Sequence, residues 1–517
     1  MPRPFTKTMH PLGSPYVRDQ LSLRTTTVNE TRLQPDGEFV LYWMQTTQRL
    51  EENWALRLAT LEADRLSRPL IIHQGLDPTY EFASDRFHTF TMEGARELAV
   101  RAAGQGYHYQ FVLRRRRDDD RRVVDRLANR ACLVVTDAFP TAGVAERTAR
   151  FAARARCRVV AVDSVGIVPT ATFYKEEYAA RTIRPKLAKL LDYALEPVED
   201  RPPRKLPTPA LIGSLHVDTL DLARCDIAGE VARCEIDHAV APAPVPAGLT
   251  AARRRLAAFV AEGLRGYSSR RREPTDEGGS SRLSAYLRFG QISAAEVART
   301  VRAAGAEAEG TAFLDEMVTW RELSLNFCTR NPRHASLAAL PDWAQRSLRR
   351  HADDPREADY SLEELEAGAT HEPLWNAGQR ELVTTGYMHN AVRILWGKSV
   401  LLWTRTYDDA LQSLLYLNNK YGLDGRDPNS FANVLWCFGK FDRPFATRRV
   451  WGTIRPMSLA RARDKFDVEA YVERWGEAGT GDRGARDRGA ARGAGTGRRD
   501  GSLRRAPRPR SQAPVPG

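Results

Sequence analysis

The pattern of apolar and polar positions along this chain of 517 residues changes character near its middle. In the first part, short apolar runs rich in β-branched and aromatic residues recur at Glu38–Met44, Ser67–Gly75, Tyr107–Arg114, Arg130–Pro140 and Cys157–Asp163. Stretches with helical period separate them, at Asn53–Asp64, Met92–Gly104, Arg121–Asn129 and Val144–Ala155. This alternation predicts a Rossmann-like parallel sheet covered by helices. After Thr250 strand signals almost vanish and helical patterns follow at Ala251–Leu264, Ser293–Ala304, Ala312–Cys328, Leu374–Trp403, Tyr407–Tyr421 and Asn429–Phe438. The chain therefore divides into an α/β domain over 31–192, a Pro-bracketed linker over 193–250 and an all-α domain over 251–475. Residues 1–30 are expected to be a flexible leader, and the Gly/Ala/Arg/Pro-rich residues 476–517 a disordered basic tail.

Composition narrows the class. Mean hydropathy is -0.48, no apolar run reaches the roughly 18–20 residues of a spanning helix, and MPRPFTKTMHPLGSPY lacks the apolar core of a secretory signal. A soluble, cytoplasmic protein is expected, with no membrane partner. Cys132, Cys157, Cys225, Cys234, Cys328 and Cys437 form no CxxC and no Cys/His pair at metal spacing, so reduced thiols are expected and a zinc site is not. The net charge is +13, but ten arginines against four acidic residues from Gly476 onward supply +6 of it. Net charge alone is thus weak evidence for a polyanionic partner.

Four segments of the helical part carry candidate chemistry. Leu374–Trp403 holds Trp375, Trp396 and Trp403, the last two on one helical face; core packing and electron hopping from a buried cofactor to solvent both fit that spacing. In LDGRDPNS (Leu423–Ser430), turn residues lead into a helix that Asn429 or Ser430 can cap. Asp424, Arg426 and Asp427 there suit either a solvated turn or the polar edge of a heterocycle. Glu316 and Trp320 stand at i, i+4; an aromatic plate beside a carboxyl suits a flat base, and an exposed glutamate beside a half-buried tryptophan fits equally. GGSSRLSAYLRFGQIS (Gly278–Ser293) offers small hydroxyls and glycines opening a helix, a fair phosphate cradle without the P-loop lysine.

Taken together these segments resemble the class II photolyases. The likeness rests on YWMQ and QRLEENWAL (Tyr42–Leu56), EEYAARTIRPKL (Glu176–Leu187), LRFGQIS, FLDEMVTWREL, PLWNAGQRELVTTGYMHN, LDGRDPNSFANVLWCFGKFDRP and FDVEAYVERW (Phe466–Trp475). It spans roughly Leu33 to Trp475 and is strongest from Arg282 onward. It implies an α/β antenna domain and a helical domain holding FAD, whose reduced form FADH⁻ sends one electron, under light, to a cyclobutane pyrimidine dimer flipped out of UV-damaged DNA. The resemblance also implies residue roles. Ser281, Leu283 and Ser284 would sit at the FAD phosphates, Gln291 and Arg321 near the cofactor, and Asp424, Arg426 and Asp427 at its polar groups. Asn418 would lie near flavin N5, Trp320 and Trp436 would clasp the dimer, and Glu316 would bond its base. Trp396, Trp375 and Trp403 would form the photoreduction chain, and Lys440 and Arg443 part of a phosphate-gripping surface. A monomer is expected.

Departures from the family pattern are equally specific. SPYLHFG is SAYLRFG here, placing Ala285 and Arg288 in the flavin loop; KHDRPW is KFDRPF, with Phe441 and Phe445 near the DNA cleft; HNYMRM is HNAVRI. In the α/β half, VDAHN is VDSVG (Val162–Gly166), TDDFP is TDAFP, and Thr46 and Thr47 stand where arginine and aspartate are usual. These changes are expected to cluster at the antenna pocket, leaving its chromophore open between a deazaflavin, a folate and none. Two other functions compete: a cryptochrome-like blue-light receptor, and repair of the (6–4) photoproduct, for which His389 is the nearest catalytic histidine.

Overall fold

The computed structural model describes residues 9–476. Six strands, β1 (Thr25–Thr27), β2 (Phe39–Met44), β3 (Leu70–Leu76), β4 (His108–Leu113), β5 (Ala131–Asp137) and β6 (Arg158–Val162), form one sheet in the order β1-β6-β5-β2-β3-β4. All neighbours are parallel except β1 with β6. All six residues of β2 are buried, as a central strand with helices on both faces requires. Tyr42, Ile72 and Val135 pack on one face with Trp54, Leu56 and Ala59; Leu41, Ile71 and Val134 pack on the other with Leu127 and Phe151.

The expectation of a flexible leader fails from His10 onward; residues 1–8 lie outside the described residues. Ser14 caps a helix over Pro15–Arg24, accepting from Val17 N (3.3 Å), with proline at the first position where its missing N–H costs nothing. Sparse apolar residues, Leu12, Tyr16, Val17 and Leu21, are all buried, and the threonines that follow become β1. The linker is also ordered: Leu222, Ile227, Val231 and Cys234 pack against Phe111 and Leu113 of β4. The basic tail lies outside the described residues.

Polar side chains join the two halves. The Asp137 carboxylate, at the carboxyl end of β5, accepts from Tyr42 Oη (2.8 Å) and from the N–H groups of Gln45, Thr46 and Thr47 (2.8, 2.7 and 3.0 Å). The loop so held meets Gly290, whose φ of +65° and approach to Thr46 leave no room for a side chain. Buried Arg86 donates to the carbonyls of Leu382, Val383 and Tyr421 (3.2, 2.6 and 2.7 Å), satisfying helix C-termini of the other half.

The stretch Leu374–Trp403, expected as one helix, is two: Pro373–Thr385 ends in the left-handed cap Gly386 (φ 72°), and His389 opens Asn390–Trp403. With Tyr407–Tyr421, Pro428–Cys437 and Arg321–Arg330 these helices enclose the largest apolar core. Among the described residues no helix is long and apolar enough to cross a membrane.

Candidate active site and tryptophan chain

A cavity of about 630 Å³ opens in the helical half, walled by helix ends and irregular turns. Ser281, Leu283 and Ser284 line it from the loop entering the helix Ser284–Arg288. Arg255, which the sequence reading missed, anchors that loop through the carbonyls of Ser280 and Ser281 (2.8 and 2.9 Å). Arg282 adopts a positive φ (50°), lays its guanidinium over Tyr387 (5.0 Å), and keeps a buried Nε without a partner.

Glu316 and Trp320 reach the cavity from a π-helical turn, Asp315–Trp320, set within the helical stretch 307–330. A π turn admits an extra residue and re-aims its side chains, which is why such turns recur at functional sites. Arg271 donates to the Glu316 carboxylate at 2.5 Å; nothing in the sequence spacing pointed to this partner, 45 positions away. Arg321, the next residue, also lines the cavity, and donates to the Val165 carbonyl (2.9 Å).

On the remaining walls, Arg393 grips Asp424 with both terminal nitrogens at 3.1 Å, a fork that fixes the carboxylate's plane. The Asp424 charge holds the Arg393 pKa above its ordinary value against the opposing effect of burial. Asp427 caps Pro428–Cys437, accepting from Asn429 N (2.9 Å). Asn418 is buried and donates to Asn419 Oδ1 (3.2 Å). Trp436 closes the wall at the far end of the same helix, with the buried Lys398 ammonium 4.9 Å from its ring. Lys398 donates to the carbonyls of Cys437 and Arg455 (2.8 and 2.9 Å), and burial lowers its pKa to about 8. His389 also faces the cavity, but its Nδ1 accepts from Ala391 N (3.2 Å) as a helix cap, and burial lowers its pKa to about 4.

Trp396 connects the cavity to the core. Its ring stacks on Trp375 (centroids 5.8 Å, 13° between planes), and Trp375 meets Trp403 edge-on (5.9 Å, 66°). Trp375 Nε1 donates to the Trp396 carbonyl (3.0 Å), and Trp396 Nε1 to Gln379 Oε1 (3.2 Å). Trp396 and Trp403 share a helix, yet it is Trp375 of the preceding helix that fills the space between them.

Three expected site residues lie elsewhere. Gln291, fully buried, bonds Gln48 Oε1 (2.9 Å) and accepts from Gly248 N (2.8 Å) at the joint between the halves. Arg426 turns away through a positive φ (62°) and stacks on Phe87 and Tyr80 (4.2 and 4.9 Å). Lys440 is buried, bonded to Glu176 and to the Ala339 carbonyl (2.7 Å), so it has no free charge for a phosphate. Arg443 is exposed beside Phe445 (5.3 Å). Phe441 packs edge-on against Phe327 (5.6 Å).

Comparison with known proteins places this arrangement. Residues 40–208 match the family described as DNA photolyase. A deoxyribodipyrimidine photo-lyase of Methanothermobacter thermautotrophicus is 37% identical over 449 residues, covering 85% of this chain and 96% of that protein. One from Arabidopsis thaliana is 36% identical over 443 residues, covering 84% and 88%. The chain belongs to the DNA photolyase family. Its fold is also that of a class III photolyase from Agrobacterium tumefaciens (TM-score 0.62, 19% identity, 86% and 87% covered) and of a Synechocystis sp. PCC6803 cryptochrome (TM-score 0.65, 16% identity, 84% and 88% covered).

FAD is the cofactor of photolyases, and the cavity fits it. A pyrophosphate needs cationic donors, and the buried Nε atoms of Arg282 and Arg393 are unpartnered. Two ring systems need polar edges between apolar faces, which Asn418, Asp424 and Asn429 offer among Leu283, Leu414 and Val434.

A second cavity of about 550 Å³ lies beyond the carboxyl ends of β2, β3 and β4, where open α/β sheets receive ligands. Arg114, Arg147, Arg288 and Arg426 line it, with Thr46 and buried His73, whose pKa burial lowers to about 4. Arg288, expected at the flavin loop, thus faces this cavity, donating to the Gly425 carbonyl (3.0 Å). The altered VDSVG segment lies away from it: Ser164 Oγ accepts from Ala55 N (2.9 Å) and the Val165 carbonyl accepts from Arg321.

Proposed function

We propose that this photolyase repairs cyclobutane pyrimidine dimers in UV-damaged DNA under blue light, in the manner of the class II enzymes. The observation that carries this reading is the convergence of Glu316, Trp320, Trp436 and Asn418 on one cavity that also admits Trp396. Bound and reduced, FAD supplies a photoexcitable one-electron donor. The side chains do the rest. Trp320 and Trp436 offer two aromatic plates for the flipped dimer, and stacking of this kind contributes about 1–3 kcal/mol per base. Glu316 accepts from, or donates to, the Watson–Crick edge of one base once Arg271 releases it. Asn418, anchored through Asn419, turns the rest of its amide to the flavin edge. Ser281 and Ser284 bond the phosphates beside Arg282, and Asp424, held by Arg393, bonds a ring edge. Trp396, Trp375 and Trp403 deliver electrons that return an oxidised cofactor to its reduced state. Exposed Arg443 contributes to holding the DNA backbone.

The test is restoration of a dimer-containing oligonucleotide by the FAD-loaded protein in blue light and not in darkness. Binding of FAD without light-dependent repair overturns the reading in favour of a photoreceptor. The (6–4) alternative finds no support at His389, whose Nδ1 is engaged in a helix cap and whose ring is neutral near pH 7.

A further inference from the structure

Lys398 carries a buried charge that, among the described residues, no carboxylate pairs. It lies on the helix Asn390–Trp403 and is 0% exposed. Gly397 lets this helix approach Pro428–Cys437 so closely that a Cβ there would stand 2.9 Å from Cys437 Sγ. The ammonium donates to two neutral carbonyls, those of Cys437 and Arg455 (2.8 and 2.9 Å). The ionisable groups facing it leave its charge standing. Burial raises the Cys437 thiol to a pKa of about 11 and keeps it protonated, and the Asp442 carboxylate is forked by Arg455 (2.7 and 2.9 Å). Lys440, equally buried, has Glu176 as its counter-ion. An unpaired ammonium in a dry site costs stability that a methionine of the same length would not. What Lys398 touches instead is aromatic: its Nζ lies 4.9 Å from the Trp436 ring and 5.5 Å from that of Trp451.

These contacts converge on one wall of the cavity. Trp436 is half-buried there, one residue before the end of its helix. Arg455 follows a turn in which Phe445 N–H donates to the Thr453 carbonyl and Arg448 N–H to that of Gly452 (2.9 Å each). Arg443, Arg448 and Arg449 are exposed on this segment. One ammonium thus ties the indole to the base of a cationic turn. Building on the role given above to Trp436 as a plate for the dimer, we infer that Lys398 is a positioning residue for lesion capture: its charge, held between Trp436 and Trp451, fixes the angle at which Trp436 meets the dimer. A desolvated cation grips an indole in a way a neutral amine cannot, and its charge-assisted hydrogen bonds are roughly twice as strong as neutral ones. Loss of the proton frees the ring to rock and loosens the turn beside it.

Binding of the FAD-loaded, full-length protein in darkness to a dimer-containing and to an undamaged oligonucleotide tests this, read as the ratio of the two affinities. In wild type the ratio should be level below about pH 7 and fall about five- to tenfold as pH rises through about 8, where the buried ammonium loses its proton. The exposed arginines stay charged over this range, so binding to undamaged DNA should hold. Lys398→Met should show the lowered ratio at every pH, with FAD content and the rate of flavin photoreduction unchanged. A lysine that merely supports the fold would lower FAD content, photoreduction and both affinities together, with no step near pH 8. A wild-type ratio that stays level between about pH 7 and about pH 9 overturns the role of the charge, whatever the variant does. A wild type with no preference for dimer-containing DNA at any pH overturns the clasp itself, and this role with it.

Discussion

Replacing Trp375 with phenylalanine separates electron transfer from packing. Trp375 is fully buried between Trp396 and Trp403. The substitution deletes one buried hydrogen bond, from Nε1 to the Trp396 carbonyl at 3.0 Å, worth about 1 kcal/mol net. That carbonyl lies inside the helix Asn390–Trp403 and keeps its helical partner, so no acceptor is orphaned. The atoms lost in shrinking indole to benzene leave a small void, adding about 1 kcal/mol at ~24 cal/mol per Å³. A total near ~2 kcal/mol leaves a folded protein, whereas Trp375→Ala would cost about 3–5 kcal/mol. Phenylalanine cannot carry a hole, so Trp396 loses its stacked indole partner. The photoreduction rate of oxidised FAD with a thiol donor should fall at least about tenfold, a barrier increase of ~1.4 kcal/mol or more. The assay is flavin absorbance under blue light, with denaturant unfolding run in parallel. A folded, FAD-bound Trp375→Phe protein that photoreduces at the wild-type rate refutes the route.

Glu316→Gln should retain FAD but lower dimer repair about tenfold or more, because the amide no longer attracts Arg271 or offers a charged acceptor; a repair quantum yield checks it. His389→Ala should cost about 1 kcal/mol through loss of the helix cap and leave the choice of lesion unchanged, measured with cyclobutane and (6–4) substrates side by side. Lys398 titrates near 8 when folded against an ordinary 10.5. Between these values the unfolded chain binds more protons, so stability relative to Lys398→Met should rise as pH climbs from 8 to 10.5, by up to about 3 kcal/mol in denaturant titrations. Arg443→Ala should reduce the slope of log binding constant against log salt by about 1, while Lys440→Met should leave the slope unchanged, since Lys440 is already neutralised by Glu176.

Local chemistry wrote much of the fold into the chain. The five apolar runs expected as strands are β2 to β6, because fully buried parallel strands must be apolar on both faces. β1 escaped notice because Thr25–Thr27 is polar and its partner, Val160–Val162, is distant in sequence. The break in Leu374–Trp403 was signalled by Gly386, but apolar periodicity on both sides masked it. The π turn at Asp315–Trp320 left no trace in side-chain spacing, since it changes the register of the backbone rather than the kinds of residue.

For the site, residue type established what chemistry was available, and tertiary structure decided where it acts. Carboxylates, small hydroxyls and indoles at motif spacing were legible by themselves, as was the concentration of tryptophan in the helical half. Burial and partnership were not. Lys440 reads as a cation, but Glu176, 264 positions away, neutralises it. Arg426 sits between two cavity aspartates in sequence, but a positive φ sends its side chain to the second cavity. Conversely, Arg271 and Arg393 carried no expected role, and they hold Glu316 and Asp424. Trp396, Trp375 and Trp403 are three indoles in sequence; two helices meeting at a turn make them a path. Contacts between elements set distance, dielectric and hydrogen-bond partner, and those quantities, absent from any single segment, determine which of a chain's reactive groups can meet.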